Sequence, residues 1–288
     1  MAFGREKIEY KTADQVAAMR RAGLVVADAH AAVRDAMRPG VRTADLDAVA
    51  AEVIAAAGGT SSFLGYHGYP AVLCVSVNDE IVHGIPGDRV LAPGDVVSVD
   101  CGAILDGWHG DAAFTVVLPD ADPADVALSE ATEAALWAGL AALATGERLG
   151  AVGEAVQDVV EAGAVPYGIV QEYVGHGIGT AMHQPPDVLN YRTREKGVRL
   201  RPGLCVAVEP MLTRGTRHTR VLEDDWTVVT QDGSRSAHWE HTVAIGPEGI
   251  WVLTAHDGGA ARLAELGVTV APWTPGSGAA GSSGPSST

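Results

Sequence analysis

Apolar residues recur at helical spacing over 13–37 and 43–57, both alanine-rich with charged faces, and this predicts two helices. Thr43 is placed to cap the second, and Gly58-Gly59 to stop it. Over 71–117 the pattern changes to short apolar runs with turn signals at Gly87-Asp88, Pro93-Gly94 and Asp106-Gly107, which predicts strands. Helical pattern returns over 124–163, with a break near Thr145-Gly146. A glycine-rich stretch at 165–180 then leads into expected strands at 204–213, 226–230 and 238–253. Helices followed by strands occur twice, which predicts an α+β fold made by duplication.

The repetition is also visible in the letters. LAPGDVVSVD at 91–100 matches LRPGLCVAVE at 200–209, with a carboxylate ending each. Upstream, RPGVRTADLDAVAAEVIAAAG (38–58) resembles ATGERLGAVGEAVQDVVEAG (144–163). The offset of the carboxylates is 109 (209 minus 100), too long for a solenoid repeat of roughly 20–50 residues. Two similar halves facing each other fit it better.

Each half places two acids in apolar, strand-like runs: Asp100 in VVSVDCGAI, Asp111 in HGDAAFTVV, Glu209 in LCVAVEPML and Glu240 in HWEHTVAIG. An ionised carboxylate in such a setting is costly unless a cation or hydrogen-bond donors compensate it. None of the four runs contains Lys or Arg, so four together point to a shared pair of divalent ions. His176, set in GHGIG, adds an imidazole where glycines permit close approach. A mixed oxygen and nitrogen set suits Mn, Fe, Co or Zn better than Mg. Two such ions in one site favour hydrolysis by an activated water.

Composition narrows the setting. A single domain of two halves is plausible at 288 residues. No apolar run is expected to reach a membrane span, and the start, MAFGREKIEYKTADQVAAMRRAG, has no signal-peptide core. Cys74, Cys101 and Cys205 sit in apolar runs, as expected of thiols in a reducing cytosol. A net charge of −16 disfavours nonspecific nucleic-acid binding, leaving Arg20/Arg21 and Arg192–Arg201 as local basic patches. The stretch TPGSGAAGSSGPSST (274–288) has almost nothing to bury and reads as a disordered tail.

Longer motifs carry a family resemblance. GYHGYP (65–70), SVNDEIVHGIP (76–86), VDCGAILDGWHGDAAFT (99–115), GHGIGTAMHQPP (175–186), VAVEPML (206–212) and DDWTVVTQDGSRSAHWEHTVAI (224–245) resemble type I methionine aminopeptidases over roughly residues 6–255. The resemblance implies the α+β pita-bread fold, with two pseudo-symmetric halves around a dinuclear site. It implies two divalent ions, from among Co, Mn, Fe, Zn and Ni, held by Asp100, Asp111, His176, Glu209 and Glu240. Asp111 and Glu240 would bridge, and Glu209 would also move the proton. His83 and His183 would contact the substrate and stabilise charge in the transition state. Tyr66, Tyr69, Cys74, Met182, Trp226 and Phe63 would line an apolar pocket for an unbranched thioether. Met182 stands where an aromatic residue is common in such relatives, and Met is adaptable, so a looser pocket is expected. His109, His238 and His241 read as structural or as supports for the ligands.

The implied activity is removal of the initiator methionine from nascent chains whose second residue is small, in the cytoplasm. The implied partners are nascent N-termini and transient ribosome contact, with a monomeric protein and neither membrane nor specific nucleic acid. Residues 1–262 are expected to form the catalytic domain and 263–288 a tail, disordered from about 274. The run before Cys74 contains no cysteine, so no zinc-binding N-terminal extension is expected. Two other readings compete: a proline-specific peptidase, which usually carries a further N-terminal domain, and a noncatalytic binding protein, which would be expected to have lost ligands.

Overall fold

The computed structural model describes residues 7–275. Helices α1 (Ala13–Ala36) and α2 (Thr43–Ala56) precede strands β1 (Thr60–Ser61), β2 (Leu73–Val77), β3 (Glu80–Val82), β4 (Val96–Leu105) and β5 (Trp108–Val117). Helices α3 (Pro123–Thr145) and α4 (Ala151–Ala162) open the second half. There follow β6 (Gly168–Ile169), β7 (Gly175–Gly177), β8 (Gln184–Val188), β9 (Cys205–Val208), β10 (Met211–Thr213), β11 (Thr219–Val221), β12 (Val228–Thr230), β13 (Ser236–His238), β14 (Glu240–Ile245), β15 (Ile250–Val252) and α5 (Ala260–Glu265).

Local chemistry explains the ends. At α1, Thr12 and Gln15 exchange side-chain and backbone hydrogen bonds in a reciprocal cap. Thr43 does not cap α2, contrary to expectation. Arg42 holds that position, and its backbone N–H donates to Asp45 at 3.2 Å. The Thr43 hydroxyl instead accepts from Gly87 N at 2.9 Å and donates to Gly87 O at 3.1 Å, tying α2 to a distant turn.

A large sheet runs in the order β1-β4-β5-β14-β9-β7-β8, with β2 also on β4 and β15 also on β14. Two three-stranded sheets, β13-β10-β6 and β11-β12-β3, complete the strands. The hairpin β4–β5 and the pair β9–β14 meet where β5 neighbours β14, so the duplicated segments lie on either side of one seam. One apolar cluster packs α1 and α2 on β2, β4 and β5, and a second packs α3 and α4 on β9 and β14. Trp239 touches both. Close approach at α1 needs glycine: a Cβ at Gly110 would lie 2.7 Å from Gly23 N, and one at Gly23 would lie 2.3 Å from Leu253 O.

Three expectations are corrected. The strand expected over 204–213 breaks at Glu209-Pro210, so Glu209 lies just past β9. By length and composition α3 does have the apolarity of a membrane span, but Leu128, Leu136, Leu140 and Leu143 pack it into the second core, as in a central helix. The boundary expected at 262 falls inside α5. Leu263 is fully buried, Val268 and Val270 pack on the same core, and Ala271 N donates to Ile250 O at 2.9 Å. The glycine- and serine-rich end beyond Pro275 lies outside the described residues.

Candidate active site

Strand register puts the five expected ligands on one face. Asp100 and Glu240 each stand opposite Ala113 of β5, and residues opposite one another share a face. Asp111 is two residues from Ala113 and so shares it too. His241 pairs with Val208, which brings Glu209 beside Glu240. Gly177 pairs with Val206, which brings His176 onto the face of Ala207 and Glu209. The small side chain at Ala113 leaves the middle of the cluster open.

Donor atoms of Asp111, His176 and Glu240 all lie within 4.8 Å of one another. Asp100 Oδ1, Asp111 Oδ1, Glu240 Oε1 and His238 Nε2 are buried without a hydrogen-bond partner. His176 Nδ1 lies 3.0 Å from Gly177 O, which places its proton there and leaves Nε2 as a lone pair. That lone pair faces Glu209 Oε1 at 3.5 Å. Two acceptors face to face, amid other orphaned acceptors, call for cations between them, and the donor set fits divalent metal ions.

Electrostatics agree. Burial pushes the Asp100 carboxyl up to about 7. Burial and the neighbouring carboxylates push Asp111, Glu209 and Glu240 well above the usual range. Burial holds His176 and His238 down to about 3, and His83 to about 4. A site of neutral imidazoles and frustrated carboxylates binds cations with little competition from internal ion pairs.

Beside this cluster lies a cavity of about 110 Å³. Its walls are Phe63, Tyr66, Tyr69, Cys74, Met182 and Trp226, and its floor holds His83, His183 and the five ligand candidates. All the residues expected to hold metal, act on the substrate or line its pocket therefore meet in one place. Phe63, Tyr69, Cys74 and Met182 are buried in one apolar cluster, with Tyr66, Trp226 and Ile85 against it. Tyr69 contributes its ring, while its single hydroxyl proton is shared between Leu73 O at 2.9 Å and Gly84 O at 3.0 Å. Those bonds anchor the turn that carries His83, whose φ is +61°. The His83 ring packs edge-on against Tyr173 and Trp226. The Tyr66 hydroxyl is 2.9 Å from His183 Nδ1. An outer cavity of about 480 Å³ shares His83, Asp100, His176, His183 and Glu209 with the inner one and opens past Pro185 and Asp187.

Of the three other histidines, His109 contacts Ser62 Oγ at 2.9 Å and His241 contacts Thr254 Oγ1 at 2.8 Å, both as supports. His238 instead lines the outer cavity, with Nε2 3.9 Å from Glu209 and 4.0 Å from Glu240. Strand alternation carried that signal, because His238 precedes Glu240 by two. Tyr173, which also lines the outer cavity, has no comparable sequence signal.

A curled sheet of two matched halves, with a carboxylate-and-imidazole centre on the seam, defines a pita-bread metalloenzyme. The sequence model of metallopeptidase family M24 matches residues 17–247. Methionine aminopeptidase 1 of Mycobacterium tuberculosis is 51% identical over 256 residues, 87% of this chain and 96% of the relative. Methionine aminopeptidase 1 of Bacillus subtilis is 44% identical over 244 residues, 85% and 98% of the two chains. The crystal structure of methionine aminopeptidase from Thermotoga maritima superposes with a TM-score of 0.84 at 39% identity, covering 87% of this chain and all of that one. Prolidase from Pyrococcus furiosus shares the fold alone, at a TM-score of 0.66, 17% identity and 65% coverage of its own length. The chain belongs to metallopeptidase family M24, in its type I methionine aminopeptidase branch.

Proposed function

We propose that this enzyme removes the N-terminal methionine from nascent polypeptides whose second residue is small, using two divalent ions. The observation that carries the reading is a narrow apolar cavity opening directly onto an acceptor-rich, cation-fitting centre. Asp100, Asp111, His176, Glu209 and Glu240 would hold the ions, with Asp111 and Glu240 shared between them. Candidate metals are Co, Mn, Fe, Zn and Ni, since this donor set accepts several. When bound, the ions supply Lewis-acid polarisation and a water acidified towards neutral pH.

The remaining chemistry belongs to side chains. The aromatic and sulfur-bearing walls exclude water and seat a flexible thioether. Glu209 sits at the junction of both cavities and serves as the proton carrier. Burial keeps the Tyr66 phenol protonated. Its donation to His183 Nδ1 would leave Nε2–H to donate towards the scissile carbonyl oxygen as charge develops. His83, held neutral, would position the peptide from the opposite side. A bulky second residue would collide with the ligand cluster, which sets the small-residue rule.

Three buried free thiols suit the cytoplasm. The catalytic unit is assigned to the packed chain through Trp273, with transient ribosome contact and a monomeric state completing the reading. Hydrolysis of Met-Ala-Ser against Ala-Pro peptides, after chelation and readdition of single metals, tests it. Metal-restored cleavage of Met-Ala-Ser alone supports it. Preference for Ala-Pro would transfer the enzyme to the proline-specific class.

A further inference from the structure

The outer catalytic cavity does not end at the mouth. Pro185 and Asp187 of β8 line both it and a neighbouring groove of about 620 Å³. Asp187 stands opposite His176 in the β7–β8 register, so the groove starts one strand from a ligand candidate. Arg148, Arg199 and Arg201 line the same groove, and all three are exposed. None of the three forms an ion pair among the described residues. Arg148 Nη1 only reaches Gly197 O, at 3.0 Å. Neighbouring cations differ, since Arg192 pairs with Asp158 and Glu161, and Lys196 with Glu154. Among the described residues, Asp187 is the sole carboxylate lining the groove. Three unneutralised guanidinium groups in a chain of net charge −16 form a local exception, and a groove lined by them concentrates anions.

The strand that joins cavity to groove is an edge of the large sheet. An edge normally captures an extended chain through its backbone. Here two consecutive positions, Pro185 and Pro186, have no N–H to offer. A polypeptide passing along β8 would slide by without being zipped into the sheet, and charge would decide how long it stays.

Resting on the function proposed above, we infer that Arg148, Arg199 and Arg201 form a downstream subsite for the substrate polypeptide that favours acidic residues beyond the cleaved bond. Strand rise is roughly 3.3 Å per residue, and Gln184 to Asp187 spans three steps, so the contacted positions are about the fourth to the seventh. The subsite would discriminate among long substrates and be invisible to tripeptides.

The test compares Met-Ala-Ser with heptapeptides that share those three residues and end in Asp/Glu, Lys or Ser/Gly runs. Enzyme and an Arg199→Gln/Arg201→Gln variant are assayed at low and high salt. Exposed ion pairs are individually weak, so kcat/KM should favour the acidic peptide over the neutral one by roughly two- to fivefold per engaged residue. The preference should fade as salt rises and collapse in the variant, while Met-Ala-Ser turnover stays at the parent level and reports an intact fold. Equal rates for the three heptapeptides overturn the subsite. So does a preference that survives in the variant. Polyanionic RNA binding that is lost in the variant, with no peptide preference, assigns the arginines to RNA and also overturns it. Failure to cleave Met-Ala-Ser at all would instead reject the underlying function.

Discussion

One hydrogen bond decides how His183 can act. With Nδ1 accepting from the Tyr66 phenol 2.9 Å away, the other ring nitrogen would carry the proton towards substrate in the proposed reaction. His183→Ala and His83→Ala should each keep the metal content and lose turnover by roughly a hundred- to a thousandfold, the worth of a positioned transition-state donor. Tyr66→Phe should lose only about three- to tenfold, the scale of one neutral hydrogen bond. Metal analysis beside steady-state kinetics checks both, and metal loss in step with activity would make the histidines ligands. Asp111→Ala or Glu240→Ala should instead strip both ions and abolish turnover, and near-parent metal content in either would sink the shared-ligand assignment. The ligand candidates were legible because carboxylates in apolar strands are anomalous. The two jobs of Tyr69 were not. Its ring reads as a wall, but nothing local reveals that its hydroxyl will hold Gly84 eleven residues beyond Leu73.

Among elements, hydroxyls replace backbone pairing where the halves meet. Thr242 Oγ1 donates to Asp111 O at 2.7 Å and accepts from Asp111 N at 3.1 Å. Thr115 Oγ1 does the same for His238, donating to O at 2.8 Å and accepting from N at 3.0 Å. Helices and strands were readable from periodicity, and their ends from local turn chemistry. These threonines were not, because their partners lie over a hundred residues away. Thr43 misled for a related reason: a good capping residue was taken by Gly87, 44 residues further on. Contact between α1 and the segment just after β15 gives an element-scale prediction. Gly23→Ala would force a methyl onto Leu253 O, and overpacking of this kind costs about 1–3 kcal/mol. Denaturant unfolding of the metal-loaded protein should show that loss, with the slope unchanged. Unaltered stability would mean that α1 can step back freely.

For the molecule as a whole, selectivity follows from a pocket that ends at the ligand cluster. Purified enzyme should cleave Met-Ala-Phe and scarcely touch Met-Leu-Phe, measured as kcat/KM; comparable rates would overturn the small-second-residue rule. The chain's own Met1-Ala2, outside the described residues, should likewise be trimmed, and an Ala2→Leu variant should keep Met1 by intact mass. The duplication was legible at this scale because both halves repeat Pro-Gly, Val and a terminal acid. How they join was not. Hairpin β4–β5 is held by ten registered pairs, whereas β5 and β14 share two. Four of the five ligand candidates straddle that thin junction, so divalent ions would act as a mechanical staple as well as a reagent. Chelation should lower the melting temperature, because ions at a hundredfold excess over their Kd add about 2.7 kcal/mol per site. It should also speed hydrogen exchange at Ala113 and Glu240, whose backbones face each other across that junction, while the β4–β5 ladder stays protected. On this view the metal that cuts the substrate also keeps the two halves of the enzyme from parting.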